Sequence, residues 1–359
     1  MTDKDNKYAS ALKFLEYLGE NIEISRENKS ILQLEKYIQI AEGKKQDKFT
    51  NYEKAIFNYF LANAYSYKQK LAYPNRENFP VETLELKKEI IHLRTALRLI
   101  QSENDDFNTC QILTNLASLF SHLGRVSEAQ EYYNTCLEIS PDFAMAIGNK
   151  GFALYYYSRL LFDENQQLIF LKEARKLLIK TIGSNDIYQE AKHSFIATIK
   201  AIEEMVPNEY LTKEINYSYE HTNKSNDEIN YRNWCSDNKL FINPLNDIYK
   251  NEIVEHDYLF TPTITLKHDE KPIYQSIFNQ IKQEFVTARF FFYESLAFNE
   301  PHYSDKDVTL MDLHDYSVYS IHIEKVKMAF RMCYSIFDKI AYLLNLYLDL
   351  NHSEKESIT

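Results

Sequence analysis

The sequence predicts an all-α fold: a helical-hairpin solenoid followed by a second, smaller set of helices. Three observations carry that expectation. Only 6 Gly and 8 Pro occur among 359 residues, whereas tight hairpin turns and left-handed positions draw on Gly, so a sheet-rich fold is disfavoured. Apolar residues recur at three- and four-residue steps in both halves, the spacing of amphipathic helices. Small residues punctuate the first half at intervals that suit close helix crossings.

Composition narrows the function classes. The formal charge of -11 gives no global footprint for nucleic acid or for a membrane surface, so any RNA must bind at a local basic site. The 28 Tyr and 22 Phe read first as filling for helix interfaces, with base-stacking platforms as the alternative. Cys110, Cys136, Cys235 and Cys333 form no C-x-x-C pair, which argues for a reducing compartment rather than a disulfide framework or zinc site. The N-terminus has no apolar signal core, and no uncharged apolar run approaches ~18 residues, so a cytoplasmic protein without membrane spans is expected. Phosphate-loop, dinucleotide, zinc-protease and nucleophile-elbow motifs are missing, and no cofactor is expected.

Residues 1–206 read as the repeat domain. The segment from Cys110 to Phe143 puts Leu113, Leu116, Ala117 and Phe120 on a first helix and Gly124 at the turn. Ala129, Tyr133 and Cys136 follow on a second helix, which Pro141 ends. Small residues belong where the helices cross and large ones where they interdigitate. The run LGRVSEAQEYYNTCLEISPD resembles the tetratricopeptide (TPR) consensus, a ~34-residue helix-turn-helix unit. Gly151 and Ala174 continue the pattern downstream. Ala62 and Tyr65 take the same roles upstream, with a weaker helix pair over 8–42 and a closing helix over 188–205. Three to four degenerate repeats share one core.

TPR units stack to form a concave groove lined by first-helix residues. Here the alignment places Tyr59, Asn63, Ser66 and Tyr67 in it, then Asn115, Ser118, Ser121 and His122, then Asn149, Phe152, Tyr155 and Tyr156. Asparagine offers a donor and an acceptor to an extended backbone, so a peptide or protein partner is expected. The lysines of carboxylate-clamping members of the resembling family are missing.

Periodicity fades over 207–270, read as a connector whose polar stretch 208–228 is loop-like. It contains Tyr231, Arg232, Trp234, Cys235, Asn238, Leu240, Phe241, Asn243, Pro244, Leu245, Asn246 and Asp247. By their chemistry, Trp234 and Phe241 anchor the connector in a core, and Asn243-Pro244 imposes an extended turn. This run resembles the block that joins TPR repeats to a HEPN domain in one bacterial subfamily; with the helices after it, the resemblance covers roughly 205–350.

Residues 271–350 contain two long apolar-striped segments. Ile277, Ile281, Phe285, Ala288, Phe292 and Leu296 mark the first. Ile323, Val326, Phe330, Cys333, Phe337, Ile340, Leu344 and Tyr347 mark the second. The stripes are expected to face each other in an antiparallel hairpin, with Lys327, Arg331, Ser335 and Asp338 as a polar line beside the seam. A broad apolar face left over would support a homodimer.

The resemblance implies metal-independent RNA cleavage by an R-x(4–6)-H pair, with His moving a proton and Arg stabilising phosphate charge. Here the nearest downstream histidine to any arginine lies thirteen residues on, from Arg289 to His302. The pair would follow the last helix, where residues 351–359 form a polar tail, so the HEPN-like part reads as incomplete or degenerate. Arg289, Arg331 and Asp338 remain as RNA-facing candidates, with salt links along or across the hairpin as the plainer role. His314 and His322 flank an acidic loop, but no metal site is expected. The expected function is a HEPN–TPR protein of bacterial defence or toxin–antitoxin type without nuclease activity in this chain; a pure TPR scaffold and an active ribonuclease are the alternatives.

Overall fold

A computed structural model describes residues 3–74, 82–213, 224–249, 252–269, 271–296, 301–311 and 318–350, with side chains from residue 11 onward. The described chain is all-α, with no strand among the described residues. It divides into two compact units, Met1–Lys213 and Glu214–Thr359.

The first unit runs α1 (Asp3–Glu27), α2 (Ile31–Glu42), α3 (Asn51–Ala72), α4 (Leu84–Ile100), α5 (Asp106–His122) and α6 (Val126–Ile139). It continues with α7 (Ala144–Ser158), α8 (Glu164–Ile182), α9 (Gln189–Met205) and the short α10 (Asn208–Thr212). The first helix begins at Asp3, ahead of the residue 8 that periodicity suggested. Packing is heaviest between α3 and α4, α5 and α6, and α7 and α8, so the chain folds as consecutive helix pairs. Local signals set the boundaries. Thr50 and Glu53 form a reciprocal capping box at the start of α3, and the Asp105 and Asp163 carboxylates cap α5 and α8, satisfying first-turn N–H groups. Gly124 ends α5 at φ 76°, where Arg125 N–H donates to the Phe120 carbonyl at 2.9 Å and only Gly is unstrained.

Ala62, Leu116, Ala117, Phe120, Ala129, Tyr133 and Cys136 are all buried, in the crossing and interdigitating roles their sizes suit. At α7 the fit is closer still. A Cβ on Gly151 would stand 3.0 Å from the Ala174 carbonyl oxygen of α8, and one on Gly148 would stand 2.3 Å from the buried Phe195 ring of α9. Gly148→Val is therefore expected to destabilise the first unit by about 2–3 kcal/mol through overpacking, seen as a lower denaturant midpoint by circular dichroism.

The second unit opens with α11 (Asn226–Asp237) and includes 3-10 turns at Pro244–Asp247 and Glu252–Val254. The stretch 208–228, expected to be loop-like, is corrected at both ends, by the short α10 and by the first turn of α11. The residues of α11 are too polar for a clear apolar stripe, yet the Ser225 hydroxyl caps it, and Asp227 and Glu228 in the first turn complement the positive end of the helix dipole. It ends with Lys239 at φ 54° and Leu240 N–H donating to the Cys235 carbonyl at 2.8 Å. That closure puts a lysine where glycine is usual.

Two long helices follow, α12 (Ile273–Ser295) and α13 (Ile321–Tyr347). They pack antiparallel: Tyr274 meets Tyr347 edge-on, Glu284 pairs with Lys339 at 2.8 Å and Glu294 with Lys325 at 3.1 Å, one number rising as the other falls. The hairpin is as expected, but its seam is not. On α13 the residues buried against the rest of the unit are His322, Ala329 and Ile336. Phe330 and Phe337 are each 70% exposed, and Val326, Cys333, Ile340, Leu344 and Tyr347 are exposed with them. The reason is steric and electrostatic. Ala288 and Ala329, both buried, let the helices approach, and the two cross-hairpin ion pairs turn Lys325 and Lys339 toward α12. This rotates the apolar stripe outward. On α12, Ala288 is buried, Ile277, Ile281 and Phe285 are half-buried, and Phe292 and Leu296 are exposed.

Candidate functional site

In the first unit, residues expected to line a groove form two polar contacts, one between α3 and α5 and one between α5 and α7. The Asn115 amide donates to Asn63 Oδ1 at 3.0 Å. Asn149 donates to Ser118 Oγ at 3.2 Å, and that hydroxyl also meets the buried Tyr133 OH at 3.0 Å. Tyr59 lies against the first pair: burial raises its phenol pKa, and hydrogen bonds with Asn63 and Asn115 partly offset the rise. The structure thus joins Asn63 to Asn115 and Ser118 to Asn149. Phe152 and Tyr156 meet edge-on with ring centres 4.9 Å apart, and Tyr155 packs against Tyr156 at 5.1 Å. His122 and Tyr156 are exposed, sharing the wall of a shallow depression with Ser121 and Arg159.

Ser66 departs from the expectation. It hydrogen-bonds Glu89 of α4, whose carboxyl burial pushes up to about 7, so it belongs to the α3–α4 contact. The sequence reading missed three residues at this face: Glu23 and Arg26 of α1, and Tyr188 at the start of α9. The Arg26 guanidinium carbon stands 5.7 Å from the Tyr67 ring centre and 6.0 Å from that of Tyr188. Arg26 Nε donates to Glu23 at 2.8 Å. No repeat pattern points to these residues, because they lie outside the first helices of the matched repeats.

In the second unit, the connector residues build a core around Arg289 of α12. This side chain is only 4% exposed and pairs with Asp257. Its Nη1 and Nη2 donate to the two Asp257 carboxylate oxygens at 2.9 and 3.0 Å. Nη1 also donates to the Leu240 carbonyl at 2.8 Å, and Nε to the Tyr231 hydroxyl at 2.9 Å. The guanidinium carbon lies 5.1 Å from the Phe241 ring centre. Burial alone would raise the Asp257 pKa; the Arg289 hydrogen bonds and the Ile242 N–H hold it below the usual carboxylate range. Arg289, a candidate for contact with RNA, is thus committed to internal partners.

The rest of the block is organised around that core. Asn243 is extended before Pro244, as its sequence requires; its Oδ1 accepts from Leu245 N–H at 3.0 Å and its Nδ2 donates to the Val254 carbonyl at 3.3 Å. The Asn246 amide donates to the Phe241 carbonyl, and Asp247 ends the same turn. Arg232 reaches the Glu255 carbonyl at 3.0 Å, and Asn238 the Trp234 carbonyl at 2.8 Å. Cys235 and Phe241 are buried, and burial raises the thiol pKa. Trp234, half-buried rather than central, stacks beside Tyr231 and packs on Tyr293 with ring centres 5.3 Å apart.

Arg331 is exposed on α13 and Asp338 half-buried. Among the described residues neither joins an ion pair; the cross-hairpin links are made by Lys325 and Lys339 instead. His322 is buried, and His314 lies outside the described residues. No cluster of three or more metal-ligating side chains occurs among the described residues, and no described helix is long and apolar enough to cross a membrane.

No curated protein and no solved structure matches this chain. Residues 265–359 match the family model described as LA2681-like HEPN, which takes in both α12 and α13 and begins after Tyr231–Asp257. The C-terminal helical hairpin is thus similar to a HEPN domain.

Proposed function

We propose that the chain is a HEPN–TPR protein of bacterial defence or toxin–antitoxin type. In it, a TPR-like groove holds a peptide or protein partner, and the HEPN-like unit is RNA-directed but does not cut. The observation that carries this reading is the HEPN match over 265–359 in a chain where no histidine follows an arginine at the four-to-six-residue separation of the nuclease pair. Arg289, the arginine nearest upstream of a histidine, is consumed by Asp257, Tyr231 and Leu240. The outward stripe of α13 supports a homodimer: Val326, Phe330, Cys333, Phe337, Ile340, Leu344 and Tyr347 alternate at four- and three-residue steps, the spacing of a helix-to-helix seam.

Incubating the purified chain with tRNA and with total RNA in the presence of a chelator tests the reading. RNA is expected to be retarded on a native gel and to remain intact, with retardation weakened by Arg331→Ala. Cleavage that disappears in Arg331→Ala, or no retardation at any concentration, overturns it.

A further inference from the structure

The groove's α1 end contains a cation site that the chain fills with its own side chain. Arg26 lies within about 6 Å of two tyrosine ring centres, Tyr67 on α3 and Tyr188 where α9 begins. Cations are drawn to such faces by the ring quadrupole. Glu23 closes the site: it accepts from Arg26 Nε at 2.8 Å and from the Tyr67 hydroxyl at 3.4 Å. Glu190 of α9 adds a second carboxylate to the field at Arg26. Without Arg26, the site retains two ring faces and two carboxylates.

The site is continuous with the groove. Tyr59 feels the charge of Tyr188 and Glu23 and also hydrogen-bonds Asn63 and Asn115. It is also accessible: Tyr188 is 60% exposed, and the Arg26 side chain retains 30% of its exposure. An i,i+3 pair of this exposure is worth little and is easily exchanged.

We propose that Tyr67, Tyr188 and Glu23 form a cation subsite of the groove, occupied by Arg26 in the free protein and by an arginine or lysine side chain of the bound segment in the complex. This rests on the groove reading above and names the chemistry of what the groove takes. An acidic chain of formal charge -11 suits a basic segment, because opposite charge speeds encounter and fixes register.

The test uses a labelled glycine–serine nonapeptide with one central arginine, and the same peptide with citrulline, which keeps the shape and loses the charge. Arg26→Ala and Arg26→Gln empty the site; the glutamine variant retains a long polar side chain on α1. Both are expected to bind the arginine peptide about two- to sixfold more tightly than the unaltered chain does, the gain from removing a weak internal competitor. Citrulline is expected to lose that gain, as is Tyr188→Ala added to either variant. Equal affinity for the unaltered and Arg26-substituted chains, including binding by neither, overturns the proposal, and so does a citrulline peptide that binds as well as the arginine one. The groove reading fails separately, if Asn63→Ala with Asn115→Ala leaves every captured partner bound.

Discussion

Arg289→Ala is expected to unfold the second unit while the first stays folded, with a loss of about 3–5 kcal/mol, the range for breaking a buried ion pair from one side. The substitution strands the Asp257 carboxylate and the Leu240 carbonyl in a site whose arginine was 4% exposed, and it takes a donor from Tyr231. Trp234, the only tryptophan, packs against Tyr231 and Tyr293. Its fluorescence therefore reports on this unit alone, and urea titrations read by Trp234 and by circular dichroism should separate in the variant. Arg289→Lys should recover little, since one ammonium cannot reproduce a fork that spans Asp257, Leu240 and Tyr231. The same pair sets an acid limit. Asp257 is depressed in the folded state, so its stabilisation is complete above the ordinary carboxylate pKa and is lost as pH falls through the lower folded value. Arg289→Ala should flatten that acid limb.

Glutamate at both Phe330 and Phe337 is expected to turn a self-associating chain into a monomer without loss of helix. Each ring is 70% exposed, so neither substitution empties a core, but each would place a charge in the middle of a helix-to-helix seam. Burying one such side chain is worth about 1.5–3 kcal/mol, so losing two rings from each partner should weaken association by more than a hundredfold. Sedimentation velocity reads the mass, and an unchanged circular dichroism melt separates lost association from lost fold.

Much of the architecture is legible in the sequence because close packing constrains residue size. Ala117, Ala129 and Gly151 mark helix crossings directly, and Gly124 marks a left-handed turn that only its own flexibility makes unstrained. Other features leave weaker traces. The α13 stripe is plain in the pattern, but periodicity shows only that a face is apolar, not what covers it. The α12–α13 seam depends on Ala288, Ala329 and cross-hairpin ion pairs, which carry no apolar signal. Helix α11 is polar and depends on its cap, and the Arg289–Asp257 pair joins residues thirty-two apart that nothing local connects. Among the residues expected to line a groove, the asparagines and serine come from the repeat pattern read in the sequence, whereas Arg26 and Tyr188, which lie near Tyr67, fall outside the first helices of that pattern.

Thiol reactivity tests most directly whether the outer face of α13 is the surface offered to a second copy. Cys110, Cys136 and Cys235 are buried, and Cys333 is exposed in the middle of the stripe. With a thiol reagent on the native protein, one of the four cysteines should react rapidly in dilute solution, and its rate should fall as protein concentration rises, while the other three stay silent until denaturant is added. A Cys333 rate that does not change with concentration would contradict the account.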